Sequence, residues 1–468
     1  MVPGPLHDEP MRTRTLLAAT LTVVLGSATL AAVPAEAETS HRPSRHCARQ
    51  AAVHVPRAEE QKLACLDDLT TAGTTVSGHT NPDDWNGLHA TGTKNPSGVP
   101  GIQVDGYFPD SSTTNANNGW DHDSQFVIRM PDRWNGKVVV SGAPGVRRQY
   151  ANDFIISDWV LAQGYAFAST DKGNTGVRFY DDGSRPGGSV AEWNRRVTQL
   201  TRATKKVLAQ RYGRTPRRTY MMGISNGGYL TRWQLENRPR LYDGGLDWEG
   251  TLFRAEGPNL FTYLPAALKH YPAYSTGDEA AHDAMIQAGF QEGSEFLWPF
   301  HYSYYWDLTQ RIYREEFDPG YDGDLDAGIP FCASGTPSCD ADYDWASRPD
   351  AVKDSMRRVQ LTGDLGKPML TVQGTLDALL PKRTDSDVYD RLIARAGQDR
   401  LHRYYRVGGG THTDGLYDLY PDRLRPLLPC ARSAFTALTA WVEHGARPPA
   451  DGRYARPDSG DLVNTCHL

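Results

Sequence analysis

Thr219-Tyr220-Met221-Met222-Gly223-Ile224-Ser225-Asn226-Gly227-Gly228-Tyr229-Leu230-Thr231-Arg232-Trp233-Gln234 is the stretch whose reading decides the fold. Its first four residues suit a short buried strand, and from about Gly227 onward the residues suit a helix. Between the two, Gly223-Ile224-Ser225-Asn226-Gly227 fits the pattern G-x-S-x-G. A serine on a tight strand-to-helix turn presents its hydroxyl at the end of a sheet, where a substrate can reach it. The glycines two before and two after permit the turn and a close approach of helix to strand. The adjoining helix N-terminus also favours negative charge as it develops. Ser225 is the expected nucleophile.

A serine hydroxyl attacks only when a base removes its proton, so a histidine and an acid are expected further along the chain. Leu370-Thr371-Val372-Gln373-Gly374-Thr375-Leu376-Asp377 reads as a strand with an acid at its carboxyl end. Tyr405-Arg406-Val407-Gly408-Gly409-Gly410-Thr411-His412 reads as a strand, a glycine run and a histidine. The expected roles are proton transfer for His412 and imidazole orientation for Asp377. Asp385 and Asp387 fall on the next helix and read as solvated surface groups. His402 precedes its strand and so belongs at the opposite sheet edge, while His270 and His301 read as structural or substrate-facing. An oxyanion site needs two N–H groups. Asn226, next to the nucleophile, supplies one. The loop after Val138-Val139-Val140-Ser141 offers Gly142, Ala143 or Gly145 for the other, with Ala143 favoured by position.

Outward from this centre, Gln125 to Met130, Lys137 to Val140, Tyr165 to Thr170, Lys367 to Val372 and Leu401 to Val407 read as further strands. Asp153 to Gln163 looks helical. A long helix follows, with Val190, Trp193, Val197, Leu200, Thr204, Val207 and Leu208 along one face. Cys430 to His444 supplies a closing helix. Such alternation predicts an α/β fold: a mostly parallel sheet with helices on both faces. Residues 246–360 break the alternation. They carry the aromatic run from Phe296 to Trp306 and are longer than a connection needs, so a lid insertion is expected there. The core is expected over 121–245 and 361–468, preceded by a loop-rich extension over 38–120.

The chain has 468 residues, 39% of them hydrophobic and 23% charged, with a formal net charge of −6. This is a globular composition, and the acidic balance argues against nucleic acid as a partner. Arg12 and Arg14 open a long apolar stretch from Leu16 to about Val33, ending in Ala35-Glu36-Ala37. Basic start, apolar centre and small-residue exit together predict a secretory signal over 1–37, with Met11 a possible start. The expected product is secreted and extracellular, free of the membrane once the signal is removed. An uncleaved anchor helix is the competing reading. Six cysteines permit fifteen pairings. Sequence proximity suggests Cys47–Cys65, Cys332–Cys339 and Cys430–Cys466. None has C-x-x-C spacing, which disfavours structural zinc.

The serine elbow, the acid strand, the histidine loop and the glycine-rich oxyanion loop occur in one order over roughly residues 121 to 445, and this resembles the α/β-hydrolase superfamily. The large insertion between nucleophile and acid is similar to the tannase/feruloyl esterase group. That resemblance implies a serine esterase cleaving carboxylic esters through an acyl-enzyme, with aromatic or oligomeric esters as substrates. An amidase or peptidase with the same triad, a hydroxybutyrate-oligomer hydrolase and a non-catalytic binding module are the alternatives. Tannase-like enzymes carry a disulfide beside the catalytic serine and histidine, whereas here Ile224 precedes Ser225 and Thr413 follows His412. They also carry a lid calcium site. The acidic clusters Asp322, Asp324, Asp326 and Asp340, Asp342, Asp344 are its candidates, although Ala327 stands where an EF-hand loop needs glycine. No metal or cofactor is expected in the chemistry.

Overall fold

The computed structural model describes residues 53–321 and 340–468. The expected signal, Cys47, Cys332, Cys339, Asp322, Asp324 and Asp326 lie outside the described residues.

Ten strands form one sheet: β1 (Glu60–Leu66), β2 (Gly101–Tyr107), β3 (Gln125–Pro131), β4 (Lys137–Gly142), β5 (Ala166–Thr170), β6 (Arg218–Ile224), β7 (Gly244–Trp248), β8 (Met369–Gly374), β9 (His402–Val407) and β10 (Gly452–Tyr454). Their spatial order is β1-β2-β3-β5-β4-β6-β7-β8-β9-β10. From β5 across to β10 every pairing is parallel, while β1, β2 and β3 join antiparallel. The N-terminal extension therefore supplies two sheet strands as well as loops.

Strand alternation gives the sheet two apolar faces. Val138 and Val140 pack on one face with Val190, Trp193, Val197 and Leu200. Val139 packs on the other with Leu428, Ala431, Phe435 and Leu438. The helices that cover these faces follow the strands: α1 (Thr71–Val76), α2 (Asp158–Ala162), α3 (Gly188–Tyr212), α4 (Asn226–Asn237), α5 (Leu260–Tyr274), α6 (Glu279–Ala288), α7 (Trp298–Tyr304), α8 (Trp306–Phe317), α9 (Asp350–Arg357), α10 (Ser386–Arg395) and α11 (Leu428–His444). The apolar stripe read along 190–208 lies on α3, which ends at Gly213 in the left-handed conformation.

The inserted region begins after β7 rather than at residue 246, because Gly244-Gly245-Leu246-Asp247-Trp248 is a buried sheet strand. Its glycines are steric requirements: a Cβ on Gly245 would lie 2.7 Å from the Thr231 methyl and 2.8 Å from Leu235 on α4. Helices α5 to α9 fill the passage from β7 to β8. Phe261, Trp298, Trp306, Ile312 and Phe317 share one apolar cluster with the sheet residues Val138 and Met221. The inserted helices are continuous with the core.

Candidate active site

β6 runs straight into α4 through Ser225, whose φ of 57° and ψ of −122° are unusual for a residue with a side chain. The turn survives because its neighbours are glycine. A Cβ on Gly223 would lie 2.4 Å from the Gly227 carbonyl group, and one on Gly227 would lie 2.6 Å from the Gly142 oxygen. The Ser225 N–H donates to Trp248 at 2.9 Å, and its carbonyl accepts from Tyr229 at 2.9 Å, closing the first turn of α4. Strain of this kind at a strand end is a recurring property of functional sites.

The three expected side chains meet. His412 Nε2 lies 3.0 Å from Ser225 Oγ, and its Nδ1 lies 2.9 Å from Asp377 Oδ2. The other oxygen of Asp377 accepts N–H bonds from Leu379 and Leu380, each at 2.8 Å. Asp377 and His412 are buried. They stand beyond the carboxyl ends of the parallel strands β8 and β9, the edge at which open α/β sheets bind ligands. No disulfide ties the histidine loop to the elbow: Ile224 and Thr413 both line the cavity beside Ser225. The loop is held instead by Asp414, whose carboxylate accepts the Leu427 N–H at 2.6 Å and the Leu428 N–H at 2.8 Å at the start of α11.

The oxyanion expectation needs correction at one residue. The N–H of Ala143 donates to the Thr170 carbonyl at 3.0 Å, prolonging the β4–β5 ladder, and so is not free for a substrate. Gly145 lines the cavity, and its N–H has no partner among the described residues. Its carbonyl accepts from the Asn226 side chain at 3.0 Å, which fastens this loop to the elbow. Asn226 also lines the cavity and, as the first residue of α4, leaves its own N–H without an intrahelical acceptor.

The cavity measures about 180 Å³ and is walled by Leu260, Tyr305, Leu308, Ile312, Leu379 and Leu380, with Arg147 at its side. An apolar cavity near 150 Å³ holds one benzene, so this volume suits a group of about one ring. Tyr305 and Ile312 come from the aromatic insertion. Most of the aromatic run serves packing: Trp298 and Trp306 are fully buried, and Trp306 Nε1 donates to the Ala378 carbonyl at 2.7 Å beside the acid. The Tyr313 hydroxyl accepts from the Asn226 side chain at 2.5 Å, a second tie from lid to elbow.

Of the competing residues, His402 is the first residue of β9, at the amino edge of the sheet, with Nε2 2.9 Å from the Thr371 hydroxyl. His270 lies on α5, away from the cavity. His301 is buried against the Trp306 ring, and burial pushes its pKa down to about 4, so it is neutral. Asp385 is not a solvated surface group. It is buried and bonds to Arg232 at 2.8 Å, while Arg232 also bonds to Asp247 at 2.7 Å. Asp387 pairs with Lys382 and Arg406 at 3.1 Å each.

Sequence reasoning missed Glu249, the residue after β7. Its ligand atom lies with those of Asp377 and His412 inside a 4.8 Å group, the arrangement of a potential metal site. The 2.9 Å between His412 and Asp377 is nevertheless a hydrogen-bond distance, shorter than the ~3.3 Å separating two ligands of a tetrahedral ion. The second acidic cluster does not fit calcium either. Asp340 is taken by Arg311 at 2.9 Å and Arg314 at 3.1 Å, and Asp344 accepts the Ala346 N–H at 3.0 Å. Of the cysteines, Cys430 and Cys466 form the expected disulfide, with Cα atoms 4.9 Å apart.

Comparison with known proteins bears on the same region. Residues 112–247, which carry the elbow and the glycine-rich loop after β4, match the family model described as tannase and feruloyl esterase. Feruloyl esterase B from Aspergillus oryzae shares the fold with a TM-score of 0.55 and 14% identity, over 86% of this chain and 91% of that one. An esterase from Aspergillus oryzae aligns with a TM-score of 0.52 and 13% identity, over 85% and 88%. No curated protein matches the sequence. With the elbow in its parallel sheet and these likenesses across it, the chain has the α/β-hydrolase fold, and residues 112–247 are similar to tannases and feruloyl esterases.

Proposed function

We propose that the protein is a secreted serine esterase that cleaves carboxylic esters through an acyl-enzyme intermediate. The observation that carries this reading is the imidazole of His412, within 3.0 Å of Ser225 Oγ on one side and 2.9 Å of Asp377 on the other. Ser225 Oγ attacks the ester carbonyl while His412 Nε2 takes its proton, and Asp377 stabilises the imidazolium that forms. The carbonyl oxygen, now negative, is received by the N–H groups of Asn226 and Gly145. His412 returns the proton to the departing alkoxide. Water then repeats the sequence on the acyl-enzyme and frees the acid.

The cavity volume supports a short acyl group of about one ring, and its apolar walls favour an aromatic one over a charged one. Export is supported by the Cys430–Cys466 disulfide, a bond that persists in oxidising compartments. Among the described residues no helix is long and apolar enough to cross a membrane.

The test is Ser225→Ala on an aryl ester, together with a fluorophosphonate probe and peptide mass spectrometry. The variant is expected to lose at least about 10⁴-fold in kcat while keeping its melting temperature, and the probe to label only Ser225 in the parent. Undiminished turnover in the variant would reject this nucleophile. Matched aryl ester and aryl amide substrates separate an esterase from an amidase with the same side chains.

A further inference from the structure

Glu249 has no part in the mechanism above, yet it is placed as if it belonged to it. It immediately follows β7, with a φ of 48°, a left-handed conformation that a glutamate adopts only at a cost. The turn sends its carboxyl beneath the end of the neighbouring β8. There Oε1 accepts the Gly374 N–H at 2.8 Å. Oε2 is buried, has no hydrogen-bond partner among the described residues and points at His412 Nδ1 from 4.0 Å. The same Nδ1 bonds to Asp377 at 2.9 Å, so one imidazole nitrogen faces two carboxyl groups from adjacent strands. Bracing the two strand ends would need only Oε1. A second oxygen left bare in the interior, facing a donor, calls for another account.

We propose that Glu249 is a second acid of the site, a positioning residue whose Oε2 accepts the Nδ1–H of His412 whenever Asp377 is not there to do so. The inference rests on the serine-esterase reading. The groups around Glu249 are Asp377 beyond β8, His412 and Asp414 beyond β9, Asp247 on β7, and His301 from the lid beside the His412–Asp377 pair. Burial and then the Asp377 charge push the Glu249 carboxyl well above the usual range. Two carboxylates this close do not both ionise, so while Asp377 is charged Glu249 keeps its proton. Without Asp377, Glu249 releases that proton to solvent and pairs with the imidazole as an anion.

The experiment compares Asp377→Ala, Glu249→Gln and the double variant, with Ser225→Ala as control, by kcat, KM and pH profile on one aryl ester. Glutamine keeps an acceptor for Gly374 but cannot ionise. Loss of an unreplaced triad acid costs about 10⁴-fold in kcat. Here Asp377→Ala is expected to cost only about 10–10²-fold, and adding Glu249→Gln a further ~10²-fold. Glu249→Gln alone is expected to lower kcat a few-fold with KM unmoved. The acidic limb of kcat/KM should lie at higher pH in Asp377→Ala than in the double variant, because only the former retains an anion beside the imidazole. A purely structural Glu249 would not move that limb.

Equal kcat and equal acidic limbs in Asp377→Ala and the double variant would overturn the proposal while leaving the nucleophile assignment intact. Turnover surviving in Ser225→Ala would instead remove the reading beneath it. Should Asp377→Ala fail to fold, Asp377→Ser keeps an acceptor for the Leu379 and Leu380 amides and carries the same comparison.

Discussion

Arg232→Met tests how the elbow helix is anchored. Arg232 is fully buried on α4 and donates through Nε to Asp247 at 2.7 Å, through Nη1 to Asp385 at 2.8 Å, and through Nη2 to the Ser386 hydroxyl at 2.9 Å. The network joins the helix that starts at the nucleophile to β7, to α10 and, through the Leu252 N–H on Asp385, to the root of the lid. Methionine fills much of the volume but leaves two buried carboxyl groups without their cation. Both keep other partners: Asp247 retains Thr371 and Gly250, and Asp385 retains Leu252. The appropriate magnitude is therefore that of one broken buried pair, about 3–5 kcal/mol, not the sum of three charged bonds. The loss also depends on pH. Burial already pushes the Asp385 pKa up to about 6, with Arg232 opposing it, and removing the arginine raises it further. At pH 5.5 the variant can fold with Asp385 protonated, whereas at pH 8 folding must either bury an anion or take up a scarce proton. Urea unfolding at both pH values, fitted for midpoint and slope, should show the greater loss at pH 8. A loss below about 1 kcal/mol, or one equal at the two pH values, would refute the argument.

Two further predictions concern the elbow and the lid. Gly227→Ala places a methyl 2.6 Å from the Gly142 carbonyl oxygen, which is backbone and must shift with the oxyanion loop. A displacement approaching 1 Å there is expected to lower kcat by about 10²-fold, and parent-like kinetics would show that the loop tolerates the contact. Glu316, buried on α8 with Oε1 accepting the Val190 N–H at 2.9 Å, has its pKa raised to about 8 by burial. Its proton stays on in the folded state while the unfolded chain releases it above the ordinary carboxyl range. The resulting stabilisation is complete at pH 4 and declines as pH rises toward 8. Melting temperatures of Glu316→Gln across that interval should fall less than those of the parent, and parallel curves would contradict the assignment.

The fold was readable where strands carry β-branched residues in their usual density, as in Val138 to Val140, and where α3 repeats its apolar face. β7 was not, and its last three residues, 246–248, fall in the expected insertion. Two of its five residues are glycines, Gly244 closed in by Pro368 and α11 and Gly245 by α4, and a third is Asp247, paired in the interior with Arg232. None of those reasons is local to the strand. Asp385 was misread for the same cause, since its arginine lies 153 residues away. The positions of Ser225, Asp377 and His412 at strand ends were legible because elbow, acid strand and histidine loop each carry their own short pattern. The oxyanion loop was harder: whether Ala143 or Gly145 keeps a free N–H depends on how far the β4–β5 ladder runs, which strand propensity does not state. Glu249 had no signal beyond an acid following an unrecognised strand.

The shared apolar cluster of lid and sheet has a bearing on how such a molecule could acquire new substrates. A flap that swings needs a dry seam it can reopen, whereas Trp306 and Phe317 sit in the same continuous interior as Met221. Opening by rotation would strip water-avoiding surface from the protein's own centre. Under the proposed esterase function, a change of preference is expected from swapping individual wall residues such as Tyr305 or Ile312, not from retuning a hinge.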